Sequence, residues 1–230
     1  MVLEPIKTTL VHKVLPSSSP HGEQQPALIL LHGRGTNEDD LLGLAEYLDP
    51  RFLIVSARAP FPFPYGGFAW YQILEVGTPD PQQFDESYQR LSQFVQDVKA
   101  KYPVNPSMVF LLGFSMGSIM SLALSLTQPR AFKGVVAHSG YIPENTSLRF
   151  RWDELAPLTG LAGLGLFIAH GTEDPVIPIE LARRARALLS KSEADVTYRE
   201  YPIGHTISEE SLSDFSAWLR KRLDVPGDMK

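Results

Sequence analysis

A mostly parallel β-sheet of about seven strands, with helices on both faces, is the fold class that this 230-residue sequence predicts. Three observations lead there. Apolar, β-branched runs of strand length recur along the chain, helix-period segments fall between most of them, and Gly113-Phe114-Ser115-Met116-Gly117 stands where a strand would pass into a helix.

The strand-like runs cover residues 6–14, 27–31, 52–56, 108–112, 134–138, 164–169 and 196–201. The middle runs are almost continuously apolar, as expected of strands buried on both faces, whereas 6–14 is mixed and suits an edge. Helical periodicity is clearest over 84–101, 118–127, 179–190 and 208–223, with a shorter helix expected over 38–48. Two connections are long. Residues 57–83 are crowded with proline, glycine and aromatics, and 139–163 are expected to include a short helix near 152–155. Both should border a site, because ligands in open α/β sheets bind beyond the carboxyl ends of the strands.

Size and composition narrow the function classes. At 43% hydrophobic and without a low-complexity tract, residues 1–230 are expected to form a single domain around one core. Net charge is 21 minus 26, or −5, with both signs interspersed, which disfavours nucleic acid or an anionic membrane as partner. Arg183, Arg184 and Arg186 form the densest basic cluster and read as a solvated helix face. The absence of cysteine excludes disulfides, thiolate metal sites and a thiol nucleophile. No pair of histidines shows the close ligand spacing of a zinc helix, so neither a metal nor a cofactor is expected. Residues 1–16 contain no apolar core of signal-peptide length, and no segment reaches the roughly 18 apolar residues of a membrane span. A cytoplasmic protein without stable membrane insertion is the expectation.

The pentapeptide reads as a reactive serine on a sharp strand-to-helix turn. Such a turn brings its flanks so close that glycine is needed two positions before and after the serine, and Gly113 and Gly117 meet that need. A serine hydroxyl also needs a base to take its proton and a third group to orient that base. With the order Ser, acid, His on loops after later strands, Asp174 and His205 occupy the required places. Asp174 lies in the turn-rich loop after the run 164–169, where Pro175 restricts its backbone; neighbouring Glu173 is the alternative acid. His205 follows Gly204 ahead of the last helix. His12 and His21 lie near the N-terminus, His32 is expected to shape the loop it begins, and His138 and His170 end apolar strands as buried imidazoles. Donors for a developing oxyanion are expected from the backbone amides of Met116 and of Arg34, in the His32-Gly33-Arg34-Gly35 loop.

Taken together, these residues resemble the phospholipase/carboxylesterase family of α/β-hydrolases, which includes acyl-protein thioesterases and small bacterial carboxylesterases. The resemblance rests on Leu31-His32-Gly33, Ala69-Trp70-Tyr71, Gly113 to Gly117, Ser139-Gly140-Tyr141, the stretch from His170 to Pro178, and Gly204-His205, and it spans most of the chain. It implies an α/β-hydrolase fold, the triad Ser115, Asp174 and His205, oxyanion amides from Arg34 and Met116, and hydrolysis of carboxylic esters or thioesters without a cofactor. The chain departs from the thioesterase branch at Met116, usually glutamine, at Arg34, commonly leucine, and at Tyr71-Gln72, often Phe-Asp. These departures weaken a protein-depalmitoylation reading.

Phe61, Phe63, Tyr65, Phe68, Trp70 and Tyr71 crowd the first long connection and can wall an acyl pocket, with Tyr141, Ile142, Trp152 and Ile177 opposite. Of these, Trp70, Tyr71, Phe68, Tyr141 and Ile177 are the expected substrate contacts. The same aromatics serve equally well as loop anchors or as the face of a homodimer. The second connection is too short for a separate cap domain, which predicts a shallow cleft for small to medium acyl esters. The leading expectation is a serine carboxylesterase working through an acyl-enzyme. A lysophospholipase or acyl-protein thioesterase, a metal-dependent hydrolase, and a non-catalytic binding protein on the same scaffold are the alternatives.

Overall fold

The computed structural model describes residues 5–19, 22–148 and 160–224. In chain order the elements are β1 (His12–Leu15), β2 (Gln25–Leu31), a 3₁₀ helix (Asp40–Tyr47) and β3 (Leu53–Ala57). Two small hairpins follow, β4 (Phe61–Pro62) with β5 (Phe68–Ala69), and β6 (Ile73–Glu75) with β7 (Thr78–Pro79). Then come α1 (Pro81–Lys101), β8 (Val104–Phe114), α2 (Met116–Thr127), β9 (Gly134–His138), β10 (Gly165–Gly171), α3 (Ile179–Leu189), β11 (Asp195–Tyr201) and α4 (Glu209–Leu223).

The seven-stranded sheet has the order β1-β3-β2-β8-β9-β10-β11. Only β1, at the edge, runs antiparallel; each other neighbouring pair is parallel. The continuous apolar runs are explained by register. Val55, Ile29, Leu111, Val135, Leu166 and Val196 lie side by side across the sheet, and all face the layer holding α1, α2 and α3. One residue further on, Leu30, Leu112, Val136 and Phe167 face the layer of the 3₁₀ helix and α4, where Leu41, Phe215 and Leu219 meet them. A strand with a core on each face has no polar position to offer. Each fully buried Leu or Ile contributes about 1.5–3 kcal/mol, so these rows dominate the stability of the sheet.

Local chemistry sets the helix ends. α1 starts at Pro81 with Asp80 as its cap, the carboxylate accepting the Gln83 N–H at 2.9 Å. α4 begins with a reciprocal cap between Ser208 and Ser211. α2 is buried along its whole length from Met116 to Leu126.

Three expectations shift. The first strand is shorter and later than 6–14, since only His12–Leu15 pairs, with Ile54 to Ala57. The segment 38–48 forms a 3₁₀ rather than an α-helix. The connection 57–83 folds into the two hairpins instead of an irregular loop. The short helix expected near 152–155 lies outside the described residues, as do Trp152 and His21. Among the described residues no helix is long and apolar enough to cross a membrane.

Candidate active site

Ser115 stands between β8 and α2 with φ 53° and ψ −118°, a backbone region that side-chain-bearing residues rarely adopt. Strain of this kind costs on the order of 1–3 kcal/mol and persists only where the surroundings impose it. They do so here. The Ser115 N–H donates to the His138 carbonyl at 2.9 Å, and the Ser115 carbonyl accepts the Ile119 N–H at 3.1 Å. The glycine requirement is direct contact: a methyl on Gly113 would collide with the Gly117 carbonyl, and one on Gly117 with the Leu31 carbonyl.

The hydroxyl so presented meets His205. Nε2 of His205 lies 2.9 Å from Ser115 Oγ, and its Nδ1 lies 2.7 Å from Asp174 Oδ2. A carboxylate accepts only, so Nδ1 carries the proton and Nε2 presents its lone pair to the serine. The Phe114 ring lies 5.0 Å from the imidazole. Asp174, just past β10, has a fully buried carboxylate whose Oδ1 accepts the Val176 and Ile177 N–H groups at 2.8 and 2.9 Å. Burial alone would push this carboxyl up, but the His205 bond and the two backbone donors outweigh it and hold it below the usual carboxylate range. Glu173 is exposed and points no oxygen at His205. The structure therefore brings Ser115, His205 and Asp174 into one hydrogen-bonded chain.

The two amide-bearing segments flank the serine. Met116 opens α2, where leading N–H groups have no intrahelical acceptor. Arg34 follows Gly33, where a methyl would lie 3.5 Å from Ser115 Cβ and 3.3 Å from the Phe114 ring. His32 shapes this loop: its Nε2 accepts the Ala59 N–H at 3.0 Å, so Nδ1 holds the proton and donates to the Gly33 carbonyl at 2.6 Å.

The expected substrate contacts fall in different places. Trp70 is fully buried, its indole N–H donating to the His32 carbonyl at 3.0 Å and its backbone N–H meeting Met116 Sδ at 3.3 Å. It lies beneath the site and ties its two amide segments together. Tyr71 is also buried, tilted against Phe84 at 5.2 Å, and burial pushes its phenol well above the usual range. Phe68 is half-buried under the Arg58 guanidinium at 4.6 Å. Tyr141 is buried, and Ile177 belongs to the Asp174 turn.

His170 is both a buried strand-end imidazole and a neighbour of the site. Its Nε2 lies 2.8 Å from the Ile177 carbonyl and 3.4 Å from Asp174 Oδ2, so it anchors both ends of the acid's turn. The spacing of four between His170 and Asp174 was its only signal. His138, bonded to Ser139 Oγ and Ser211 Oγ at 3.0 and 3.1 Å, is pushed down to about 3 by burial, aided by the neighbouring His170 and His205.

The chain is similar to known proteins over most of its length. Carboxylesterase SOBER1 of Arabidopsis thaliana is 27% identical over 161 residues, 67% of this chain and 68% of that protein. Acyl-protein thioesterase 1 of Kluyveromyces lactis is 28% identical over 227 residues, covering 87% of this chain and 95% of its own. A carboxylesterase from Bacillus cereus superposes with a TM-score of 0.79 at 27% identity over 93% of this chain and 94% of the other. With residues 15–223 matching the phospholipase/carboxylesterase family and the sheet carrying no large cap among its described residues, the chain belongs to that family of α/β-hydrolases and is an ester hydrolase of the carboxylesterase and thioesterase type.

Proposed function

We propose that this chain, folded as one domain, is a serine carboxylesterase that cleaves small to medium acyl esters through an acyl-enzyme on Ser115. One observation carries the reading: a single imidazole, His205, reaches Ser115 Oγ at 2.9 Å with one nitrogen and Asp174 Oδ2 at 2.7 Å with the other. His205 Nε2 takes the serine proton as Oγ adds to the ester carbonyl, and the Asp174 carboxylate stabilises the imidazolium so formed. The amides of Arg34 and Met116 receive the negative oxygen. The imidazolium returns the proton to the departing alcohol as the tetrahedral intermediate collapses. Water, deprotonated by the same imidazole, then releases the acid and restores Ser115.

A fluorophosphonate probe on folded protein tests this. Labelling at Ser115, with loss of both labelling and ester turnover in Ser115→Ala, is the expected result; a folded wild-type protein that neither labels nor hydrolyses 4-nitrophenyl butyrate would sink the reading. Thioesters fit the same chemistry, and the relative named acyl-protein thioesterase favours including them, so matched oxygen and sulfur esters belong in the panel.

A further inference from the structure

We infer that the side chain of Arg34, on the loop whose backbone serves the oxyanion, reads a carboxylate on the substrate, so that the preferred esters carry an acidic group. This rests on the serine esterase reading above and names its substrate class.

Among the described residues Arg34 is an exposed cation without a carboxylate partner. The acids nearest in sequence are committed elsewhere: Glu38 is held by Arg58 through two bonds of 2.5 Å, Asp39 by Lys13, and Asp40 accepts Thr36 Oγ1 at 3.0 Å. Among the described residues no carboxylate oxygen lies within ion-pairing distance of the Arg34 guanidinium, which rests over the Phe63 ring at 5.3 Å. Arg34 and Phe63 both line a cavity of about 370 Å³, which Phe61, Tyr71, Gln72 and Gln83 also bound.

Among the described residues that line the cavity Arg34 is the one that is charged, and a guanidinium offers N–H groups and no acceptor. The Gln83 carbonyl oxygen accepts the Gln72 N–H at 2.8 Å, which leaves the Gln83 NH₂ as the free end of that amide. Aromatic walls with a cation and amide donors at one side suit an acyl or alcohol chain ending in a carboxylate, and the volume is that of a small-molecule site. Proximity to the chemistry follows from the chain itself, since Arg34 directly follows Gly33, where an added methyl would lie 3.5 Å from Ser115 Cβ. Arg34 thus offers its amide to the reacting carbonyl and its side chain to a remote anion of the same molecule.

The test compares acidic esters with neutral ones of similar size, by ethanol or acid release, in two arms. Monoethyl adipate against ethyl hexanoate places the acid on the acyl side; carboxymethyl butyrate against propyl butyrate places it on the alcohol side. In one arm the wild-type kcat/KM for the acidic ester exceeds that for the neutral one by about tenfold, the scale of a charge-assisted hydrogen bond. Arg34→Gln lowers that acidic-to-neutral ratio at least about tenfold, whereas Arg34→Lys keeps part of it and added salt erodes it. Using the ratio cancels any general loss from disturbing the oxyanion loop. A wild-type ratio at or below one in both arms, or an unchanged ratio in Arg34→Gln, overturns this inference while leaving the esterase reading intact. Absence of turnover on every ester overturns both.

Discussion

Trp70 bonds the His32 carbonyl through its indole N–H at 3.0 Å, from a position with no exposure to solvent. Its backbone N–H meets the Met116 sulfur, so one buried residue braces both segments proposed to supply the oxyanion amides. Trp70→Phe keeps most of the packing and removes the donor. It is expected to cost about 1–3 kcal/mol in stability, because the His32 carbonyl is left buried and unpaired. The proposed oxyanion role adds a kinetic prediction, a fall in kcat of up to about a hundredfold with little change in KM. Urea denaturation and steady-state kinetics read the two separately, and full kcat in a destabilised variant would make the brace purely structural.

The strained Ser115 backbone predicts a stability difference between two inactive variants. Alanine at position 115 retains the strain of φ 53°, whereas glycine relaxes it. Ser115→Gly is therefore expected to be more stable than Ser115→Ala by about 1 kcal/mol. Equal denaturation midpoints would show that the elbow carries no such strain.

The two candidate acids separate by mutation. Asp174→Asn is expected to fold and to lower kcat by about ten-thousandfold, since His205 would then be held in the wrong tautomer. Glu173→Gln, at an exposed position, leaves activity within about threefold, as surface changes away from the machinery generally do. A reversed pattern would transfer the orienting role to Glu173.

Buried histidines make stability depend on pH. Burial lowers the pKa values of His12, His32, His138 and His170 below the ordinary 6.5, with His138 at about 3. The unfolded chain takes up protons near pH 6.5 while the native protein resists them, so stability is complete above that pH and falls as it is lowered. Each such group removes up to about 1.4 kcal/mol per pH unit below that point. The depressed Asp174 carboxyl works in a lower window, its contribution persisting above the unfolded value near 4 and disappearing as pH falls through its native value. Urea midpoints at pH 7.5 and 5.5 check this: a lower midpoint at 5.5 is expected, with a shallower difference in His138→Gln, and equal midpoints would contradict it.

How much of this was legible depends on the range of the interactions involved. The rows through Ile29, Leu111, Val135 and Leu166 were visible because burial on both faces writes itself into every residue of a strand. The serine turn was visible because Gly113 and Gly117 answer a local collision. Asp174 and His205 could be picked out because loop position after a strand is readable from the strands themselves. The hairpins over 61–79 were hidden, since strands of two or three residues show no period and their proline and glycine content resembles a loop. Trp70 reads as a pocket wall until its acceptor, 38 residues away in the chain, is seen. The sequence leaves the Arg34 charge open between a role of its own, solvent, and pairing with Glu38, Asp39 or Asp40, because the outcome depends on Arg58 and Lys13 claiming Glu38 and Asp39.

The helix that begins at Met116 shows no exposed flank before its final residue. Such a segment cannot fray independently, and its amides are expected to exchange with solvent only when the entire molecule opens. Heat inactivation would then coincide with global melting for the serine's own perch, whereas the loop beyond β11 that carries the part-exposed His205 is expected to loosen at lower temperature. On the proposed triad, Ser115 would then be the last part of the machinery to come apart, and its partner imidazole would set the temperature at which turnover fails.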